Sequence, residues 1–216
     1  MALSFIQQRN VTMNQMSLST VILSSRKPLL TLSISMLSIA SSQARTYDID
    51  PTHTNVRFAI DHFNTSTNTG GFYNITGHLD YDPAAQTGNI SLVIPLNSLN
   101  TGNTAFDITL KSADFFDIEQ FPLAQFESTK WYFTTDGSGS NVSKVDGMLT
   151  LHGKTNPITL MASKFNCYLN PILKKPVCGG DFTTTIDRTE WGISKYTLLG
   201  ITEKVQLNIQ IEAARQ

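Results

Sequence analysis

Residues 97–128, NSLNTGNTAFDITLKSADFFDIEQFPLAQFES, form the one long stretch after residue 45 that lacks the alternation of β-strands. Phe106 and Leu110 lie four residues apart, a spacing that places both on one face of a helix. We therefore predict one short helix near 103–113, with Thr104 as its N-cap. The aromatic residues that follow are too apolar to remain in water, and we expect them to cover one end of the packed strands.

On both sides of this segment, apolar and polar residues alternate, which is typical of strands with one face on a core. The alternation predicts eight strands, at about residues 55–62, 75–82, 90–96, 125–134, 145–152, 158–166, 181–187 and 205–211. Their connections, including 64–71, are short and polar, which favours antiparallel pairing. Such a set forms either a sandwich or a closed barrel. Gly77 and Gly147 on inward faces would leave room inside a barrel.

The N-terminal 44 residues have the features of a secretory signal peptide. Basic residues and no acidic ones precede a run of 12 residues at 29–40 that is rich in apolar side chains, LLTLSISMLSIA. Ser42-Gln43-Ala44 then offers a cleavage site before Arg45. The run is too short to span a bilayer, although a retained anchor is the alternative. We predict that residues 1–44 are removed and that 45–216 form a single barrel domain.

Charge and missing motifs argue against several functions. Residues 1–44 carry three of the 16 basic residues and none of the 17 acidic ones, so removing them leaves 13 basic residues and a net charge of about −4. Nucleic-acid binding requires a basic face, which this balance does not favour. The sequence has no G-x-S-x-G elbow, no H-E-x-x-H pair and no glycine-rich phosphate loop. We predict no enzyme activity, no metal site and no cofactor.

The two cysteines, Cys167 and Cys178, lie 11 residues apart on either side of a proline-containing turn. In an exported chain, a pair at this spacing predicts a disulfide bond. The alternative is a metal site, which would need further ligands, and the intervening residues contain neither histidine nor a third cysteine.

Several ordered motifs resemble the YceI-like family of polyisoprenoid-binding, lipocalin-like periplasmic proteins. They are NSLNTGN, LKSADFFD, FPLAQFEST, GMLTLHGKTNPITL and IDRTEWGI. The resemblance runs from about Tyr47 to Glu212. It implies an all-β fold, an eight-stranded antiparallel up-and-down barrel that holds a long-chain lipid, and so decides between barrel and sandwich. One departure is that the family's Arg-Asp pair and histidine in the helical insert are replaced by Phe106-Asp107 and Thr109.

The inward faces of the predicted strands are almost wholly aliphatic and aromatic. Such a surface suits an isoprenoid, quinone-like or acyl chain, because burying apolar area contributes about 25 cal/mol per Å². We predict that the lipid lumen is lined by Val56, Phe58, Ile60, Ile75, Leu79, Ile90, Leu92, Ile94, Phe116, Phe126, Leu149 and Leu151.

Three residues are predicted to meet the polar head of the lipid at the mouth of the barrel. His62 shares a strand face with inward residues, and Arg188 matches the family's arginine motif. Trp191 beside it would cover the same opening. The guanidinium of Arg188 suits a phosphate or carbonyl group. The structural alternative is an ion pair with Asp187 or Glu190, or a cap on backbone carbonyls.

The leading hypothesis is an exported periplasmic protein that binds a long-chain isoprenoid or similar amphipathic lipid for transport, storage or sequestration. It would contact membranes only transiently, and a homodimer is left open. One alternative is an envelope stress or interaction protein with a solid barrel, which predicts no lumen. Another is a barrel enzyme that acts on a small hydrophobic substrate through His62 and Arg188.

Overall fold

The computed structural model describes residues 45–135 and 140–216, in which ten antiparallel strands form one sheet. The predicted signal peptide, residues 1–44, lies outside the described residues. No helix in the described ranges is long and apolar enough to cross a membrane. The strands are β1 Arg45–Ile49, β2 Asn55–His62, β3 Ser66–Phe72, β4 Thr76–Asp82, β5 Thr87–Pro95, β6 Leu123–Thr135, β7 Ser140–Leu151, β8 Lys154–Leu169, β9 Pro176–Asp187 and β10 Lys204–Arg215.

The sheet closes on itself because β1 pairs with both β4 and β10. β10 pairs with β1 at one end and with β2 further along, so β1 and β2 together occupy one position in the barrel. β3 pairs with β2 while β4 pairs with β1, so these two strands share the next position. Ten strand segments thus fill eight positions, which confirms the predicted eight-stranded antiparallel barrel.

Two strand segments were not predicted, and β3 is the informative one. It takes up most of the segment 64–71 that was predicted to be a polar connection. Its sequence, STNTGGF, lacks apolar alternation because most of the strand lies at an open edge, where it pairs only with β2. On its other side, the backbone of Gly71 exchanges two hydrogen bonds of 2.9 Å with Asn100. The helical insert therefore lies next to this edge of the barrel.

The insert contains α1, Thr104–Lys111, which confirms the predicted short helix. Its N-cap is Asn103, whose side-chain oxygen accepts a hydrogen bond from the backbone N–H of Phe106 at 3.1 Å. The predicted cap, Thr104, is wrong by one residue, since an asparagine is as good a cap as a threonine. Short 3₁₀ turns occur at Leu96–Ser98, Arg188–Trp191 and Thr197–Leu199.

The end of the barrel away from the insert is filled by aromatic side chains. The ring centroids of Tyr81 and Phe165 lie 5.0 Å apart, and those of Trp131 and Phe165 lie 5.9 Å apart. Nearer the middle, the ring of Phe126 occupies the space above Gly147. The room that this glycine was predicted to leave inside the barrel is therefore taken by a side chain.

Cys167 and Cys178 form a disulfide between directly opposed residues of β8 and β9, which confirms the predicted pairing. We expect the double variant Cys167→Ala/Cys178→Ala to lose about 3 kcal/mol of unfolding free energy, because an 11-residue loop is no longer closed in the unfolded chain. Thermal melts with and without reductant measure this loss. Reductant should destabilise the wild type and leave the variant unchanged, and an equal response of both proteins would contradict the expectation.

Candidate ligand-binding cavity

A cavity of about 250 Å³ lies inside the barrel at the end covered by the helical insert, which we call the mouth. β2, the end of β9, the start of β10 and the insert all contribute to its wall. Its apolar lining residues are Val56, Phe58, Ile60, Phe72, Ile94, Leu96, Phe106, Leu110, Phe115, Phe116, Ala124, Leu149, Leu151, Ile186, Ile193, Ile201, Val205 and Leu207.

Seven of the twelve predicted lumen residues line this cavity, namely Val56, Phe58, Ile60, Ile94, Phe116, Leu149 and Leu151. The other five lie outside its lining and are packed in the core, namely Ile75, Leu79, Ile90, Leu92 and Phe126. The lumen is shorter than the strand pattern suggested, because alternation identifies inward-facing residues but does not tell a packed interior from an open one.

Phe126 lies just outside the cavity lining, at a position that we call the floor of the cavity. It lies two residues after Ala124 on the same face of β6 and directly opposite Leu149 of β7, and both neighbours line the cavity. Its own side chain is buried in the core beneath them. The ring of Phe126 therefore separates the open half of the barrel from the filled half.

Several lining residues were not predicted as site residues. Phe106 and Leu110 come from α1, and the i,i+4 spacing that predicted the helix also places both on its cavity side. Val205 and Leu207 alternate along β10 and share its inward face. The sequence contained both signals, but it did not show that these two elements contribute to the wall at the mouth.

Arg188 lines the cavity and is only 6% exposed. Its Nη1 donates to the carbonyls of Ile193 at 2.8 Å and Lys195 at 3.0 Å, and its Nε donates to the carbonyl of Thr202 at 3.0 Å. Its Nη2 is buried and has no acceptor among the described residues. Burial lowers the pKa of this guanidinium, and the carboxylates of Glu203 and Asp187 oppose that shift. Arg188 thus holds the β9–β10 loop at the mouth.

The structure agrees with the carbonyl-capping alternative for Arg188 rather than with an ion pair. The neighbouring carboxylate of Asp187 accepts hydrogen bonds from the backbone and hydroxyl of Thr189 and forms an ion pair of 3.0 Å with Lys204. These partners lower the pKa of Asp187, the hydroxyl of Thr189 contributing most. Arg188 therefore stabilises the β9–β10 loop through backbone carbonyls, while Asp187 is bound by Thr189 and Lys204.

Trp191 does not cover the opening, in contrast to its predicted place. Its side chain is fully buried, outside the cavity lining, and its Nε1–H donates to the carbonyl of Leu149 at 3.0 Å. A buried indole needs a hydrogen-bond acceptor for its N–H, and here a backbone carbonyl of β7 is that acceptor. The residue joins the 3₁₀ turn after β9 to the strand wall and is part of the core.

His62 lies at the mouth of the cavity. It ends β2 and lines the cavity together with Asp61 and Asn68. Its ring packs edge-on against Phe63 with the centroids 4.8 Å apart. Together with Arg188, it gives an otherwise apolar cavity a few polar groups at one end. No group of three or more metal-binding side chains occurs within residues 45–135 and 140–216.

Two contacts cross the mouth between the insert and the β9–β10 loop. The ammonium of Lys195 lies 3.0 Å from the carboxylate of Asp114, and this hydrogen bond raises the pKa of the lysine. The rings of Phe115 and Tyr196 lie 6.0 Å apart. Lys195 and Tyr196 line the cavity and are also partly exposed, so the cavity reaches the surface here. We call these two contacts the latch.

A closed antiparallel barrel with an apolar cavity and a few polar groups at one end has the architecture of a small-molecule-binding barrel. The chain belongs to the YceI-like family, whose domain model matches residues 47–213. It is 30% identical to a UPF0312 protein of Pseudomonas putida over 190 residues, which covers 87% of this chain and 95% of the relative. A UPF0312 protein of Vibrio cholerae is 27% identical over 179 residues, which covers 82% of this chain and 90% of the relative.

Solved structures show the same fold. A YCEI protein of Campylobacter jejuni is 25% identical, with a TM-score of 0.60 over 73% of this chain and 90% of that one. Burkholderia cenocepacia BcnA aligns at 21% identity with a TM-score of 0.60, over 76% of this chain and 99% of that one. A polyisoprenoid binding domain from Saccharophagus degradans, implicated in plant cell wall breakdown, aligns at 15% identity with a TM-score of 0.57. The alignment covers 79% of this chain and 98% of that one.

Proposed function

We propose that this protein binds a long-chain isoprenoid or a similar amphipathic lipid, with part of its apolar chain in the barrel cavity. The observation that carries the proposal is a cavity of about 250 Å³ whose wall is almost entirely aliphatic and aromatic. Pockets for drug-sized ligands measure about 300–1,000 Å³, so this one suits a slender chain. The polyisoprenoid binding domain from Saccharophagus degradans, which has the same fold, supports a ligand of this class.

The head of the lipid would lie at the mouth, beside Arg188 and His62. A buried guanidinium N–H without an acceptor is costly, and a carbonyl, carboxylate or phosphate oxygen of the ligand could satisfy Nη2 of Arg188. The three carbonyls already bound to this side chain fix its position, so little conformational freedom would be lost on binding.

We infer export to the periplasm, where a carrier could move, store or sequester the lipid. Two observations support this location. Residues 1–44 have the composition of a signal peptide, and the Cys167–Cys178 disulfide is typical of an oxidising compartment. Mass spectrometry of the protein from fractionated cells tests the location. A mature N-terminus at Arg45 in the periplasmic fraction is expected, and an intact N-terminus in the cytoplasmic fraction would contradict export.

The interaction-protein alternative required a solid barrel, and the cavity is the observation against it. The aromatic cluster makes the barrel solid only in the half that includes Tyr81, Trp131 and Phe165. The enzyme alternative required a functional pair of His62 and Arg188. Arg188 already donates three hydrogen bonds to backbone carbonyls, which accounts for much of its hydrogen-bonding capacity.

Native mass spectrometry of protein purified from its own cells is the direct test of lipid binding. We expect a stoichiometric adduct that solvent extraction releases and identifies as a lipid with a long apolar chain. A mass equal to that of the unmodified chain, unchanged after incubation with an extract of envelope lipids, would overturn the proposal.

Filling the cavity should weaken lipid binding without unfolding the barrel. Ala124 lines the cavity, so Ala124→Trp places an indole where the chain of the lipid would lie. We expect the affinity for an isoprenoid alcohol to fall roughly tenfold or more, because losing about 1.4 kcal/mol of favourable burial free energy already lowers affinity tenfold. Titration of delipidated protein measures the change.

The matched control is Ala59→Trp, because Ala59 lies outside the cavity lining on the same barrel and is partly exposed. This variant should bind like the wild type. Equal binding by the Ala124 variant and the wild type would place the ligand elsewhere.

A further inference from the structure

The tip of the β8–β9 hairpin, residues 168–176 with the sequence YLNPILKKP, exposes apolar side chains at the end of the hairpin remote from the mouth. Ile172 is 87% exposed, and Leu169 and Leu173 are at least half exposed. Exposed single apolar residues are common, but three within five positions on one turn form a local patch. We call residues 168–176 the hairpin tip.

The hairpin tip is held in one conformation. The side-chain oxygen of Asn170 accepts hydrogen bonds from the backbone N–H groups of Ile172 and Leu173 at 2.9 and 3.0 Å. The backbone of Asn170 also bonds to Lys174 and Lys175, each at 2.9 Å. The Cys167–Cys178 disulfide joins the two strands directly beneath. A preorganised apolar tip loses little conformational entropy when it binds a partner.

The same tip is cationic. Lys174 and Lys175 are adjacent and exposed, and neither forms an ion pair with any residue in the described ranges. No acidic residue occurs between 165 and 180, and Asp181, which follows, is 2.9 Å from the ammonium of Lys164. This local positive charge contrasts with the net charge of about −4 over residues 45–216.

We propose that the hairpin tip docks onto an anionic lipid bilayer, with Ile172 and Leu173 entering the interface and Lys174 and Lys175 contacting lipid phosphates. Apolar side chains beside lysines are the combination that binds such surfaces, because hydrophobic burial and attraction to anionic headgroups add together. The barrel would then be held with its mouth directed away from that bilayer. This inference does not depend on what occupies the cavity.

A bilayer explains the tip better than a second copy of the chain or another folded protein does. Stable protein interfaces bury about 800 Å² and about 20–30 residues on each partner, whereas the hairpin tip has only nine residues. Two copies meeting through their tips would also bring four lysines together. A bilayer needs no matching surface and supplies the opposite charge.

Vesicle flotation tests the proposal with residues 45–216, the range that contains all the strands of the closed barrel. Vesicles of phosphatidylcholine alone are compared with vesicles that also contain phosphatidylglycerol, at low and high salt. We expect binding only to the anionic vesicles, falling roughly tenfold or more in Lys174→Glu/Lys175→Glu and in Ile172→Ser/Leu173→Ser. Binding should also weaken as salt increases.

The control is Leu198→Ser/Leu199→Ser, which removes an even more exposed apolar pair from the mouth end of the barrel. It should bind anionic vesicles like the wild type, and thermal melts should show that all variants remain folded. Loss of binding in this control but not in the tip variants would overturn the proposal. So would no binding of the wild type to anionic vesicles, or a dimer in light scattering that the tip substitutions dissociate.

Discussion

Replacing Arg188 by methionine is expected to lower the free energy of unfolding by about 3–5 kcal/mol, because three carbonyls that now bind the guanidinium would lose their donors. In a domain of this size, the melting temperature should fall by roughly 6–20 °C. Thermal melts measure the shift. Hydrogen exchange should also accelerate in residues 193–202, which the guanidinium holds in place.

Arg188→Lys should rescue little of this loss, since a single ammonium cannot reproduce the planar fork that reaches three carbonyls. Lys204→Met is the matched control. It removes a neighbouring cation that is itself largely exposed in its ion pair with Asp187, and we expect a change of no more than about 1 kcal/mol. If Arg188→Met were no more destabilising than Lys204→Met, the buried carbonyl contacts would not stabilise the fold.

Replacing Phe126 by alanine is expected to deepen the cavity and to lengthen the lipid chain that binds best. The ring lies beneath the lining residues Ala124 and Leu149 and fills the space over Gly147. Each further methylene that enters the barrel should strengthen binding by about 0.8 kcal/mol, or roughly fourfold. The truncation should also cost about 3–5 kcal/mol of stability. Titration with isoprenoid alcohols of increasing length measures the preference.

Phe133→Ala provides the comparison, because it removes the same ring from β6 within the aromatic cluster, beyond the lining of the cavity. It should destabilise the barrel without changing which chain length binds best. If Phe126→Ala kept the length preference of the wild type, Phe126 would not be the floor that limits the ligand.

The closed sheet could be predicted because its signals are local and repeated. Alternation along β2, β5 and β10 identifies the inward face, and the resemblance to a family selects a barrel over a sandwich. β3 could not be found in this way, because it is a short edge segment made mostly of polar residues and glycine. β3 forms because it can pair with the neighbouring strand β2, and its own sequence pattern does not indicate this.

The cavity was predicted less well than the sheet. Leu92 and Leu149 both face inward on their strands, yet only Leu149 meets open space. The difference depends on large rings that lie far away in sequence, such as Trp131 and Phe165, and on how they pack against each other. Trp191 was misplaced for a similar reason, since its hydrogen bond to Leu149 spans 42 positions in the sequence.

If the barrel binds a lipid as proposed, the latch would affect how long the lipid stays bound rather than how tightly it binds. For the proposed lipid, affinity would follow from the area buried against the wall and floor, whereas release through the mouth would be slowed by the contacts of Asp114 with Lys195 and of Phe115 with Tyr196. The ion pair lies near the surface, where dissolved salt screens it. Higher ionic strength should therefore speed both entry and exit and leave their ratio nearly constant. Under the proposed function, the residence time of the ligand would thus be a property of the rim, which substitutions of Asp114 and Lys195 can adjust.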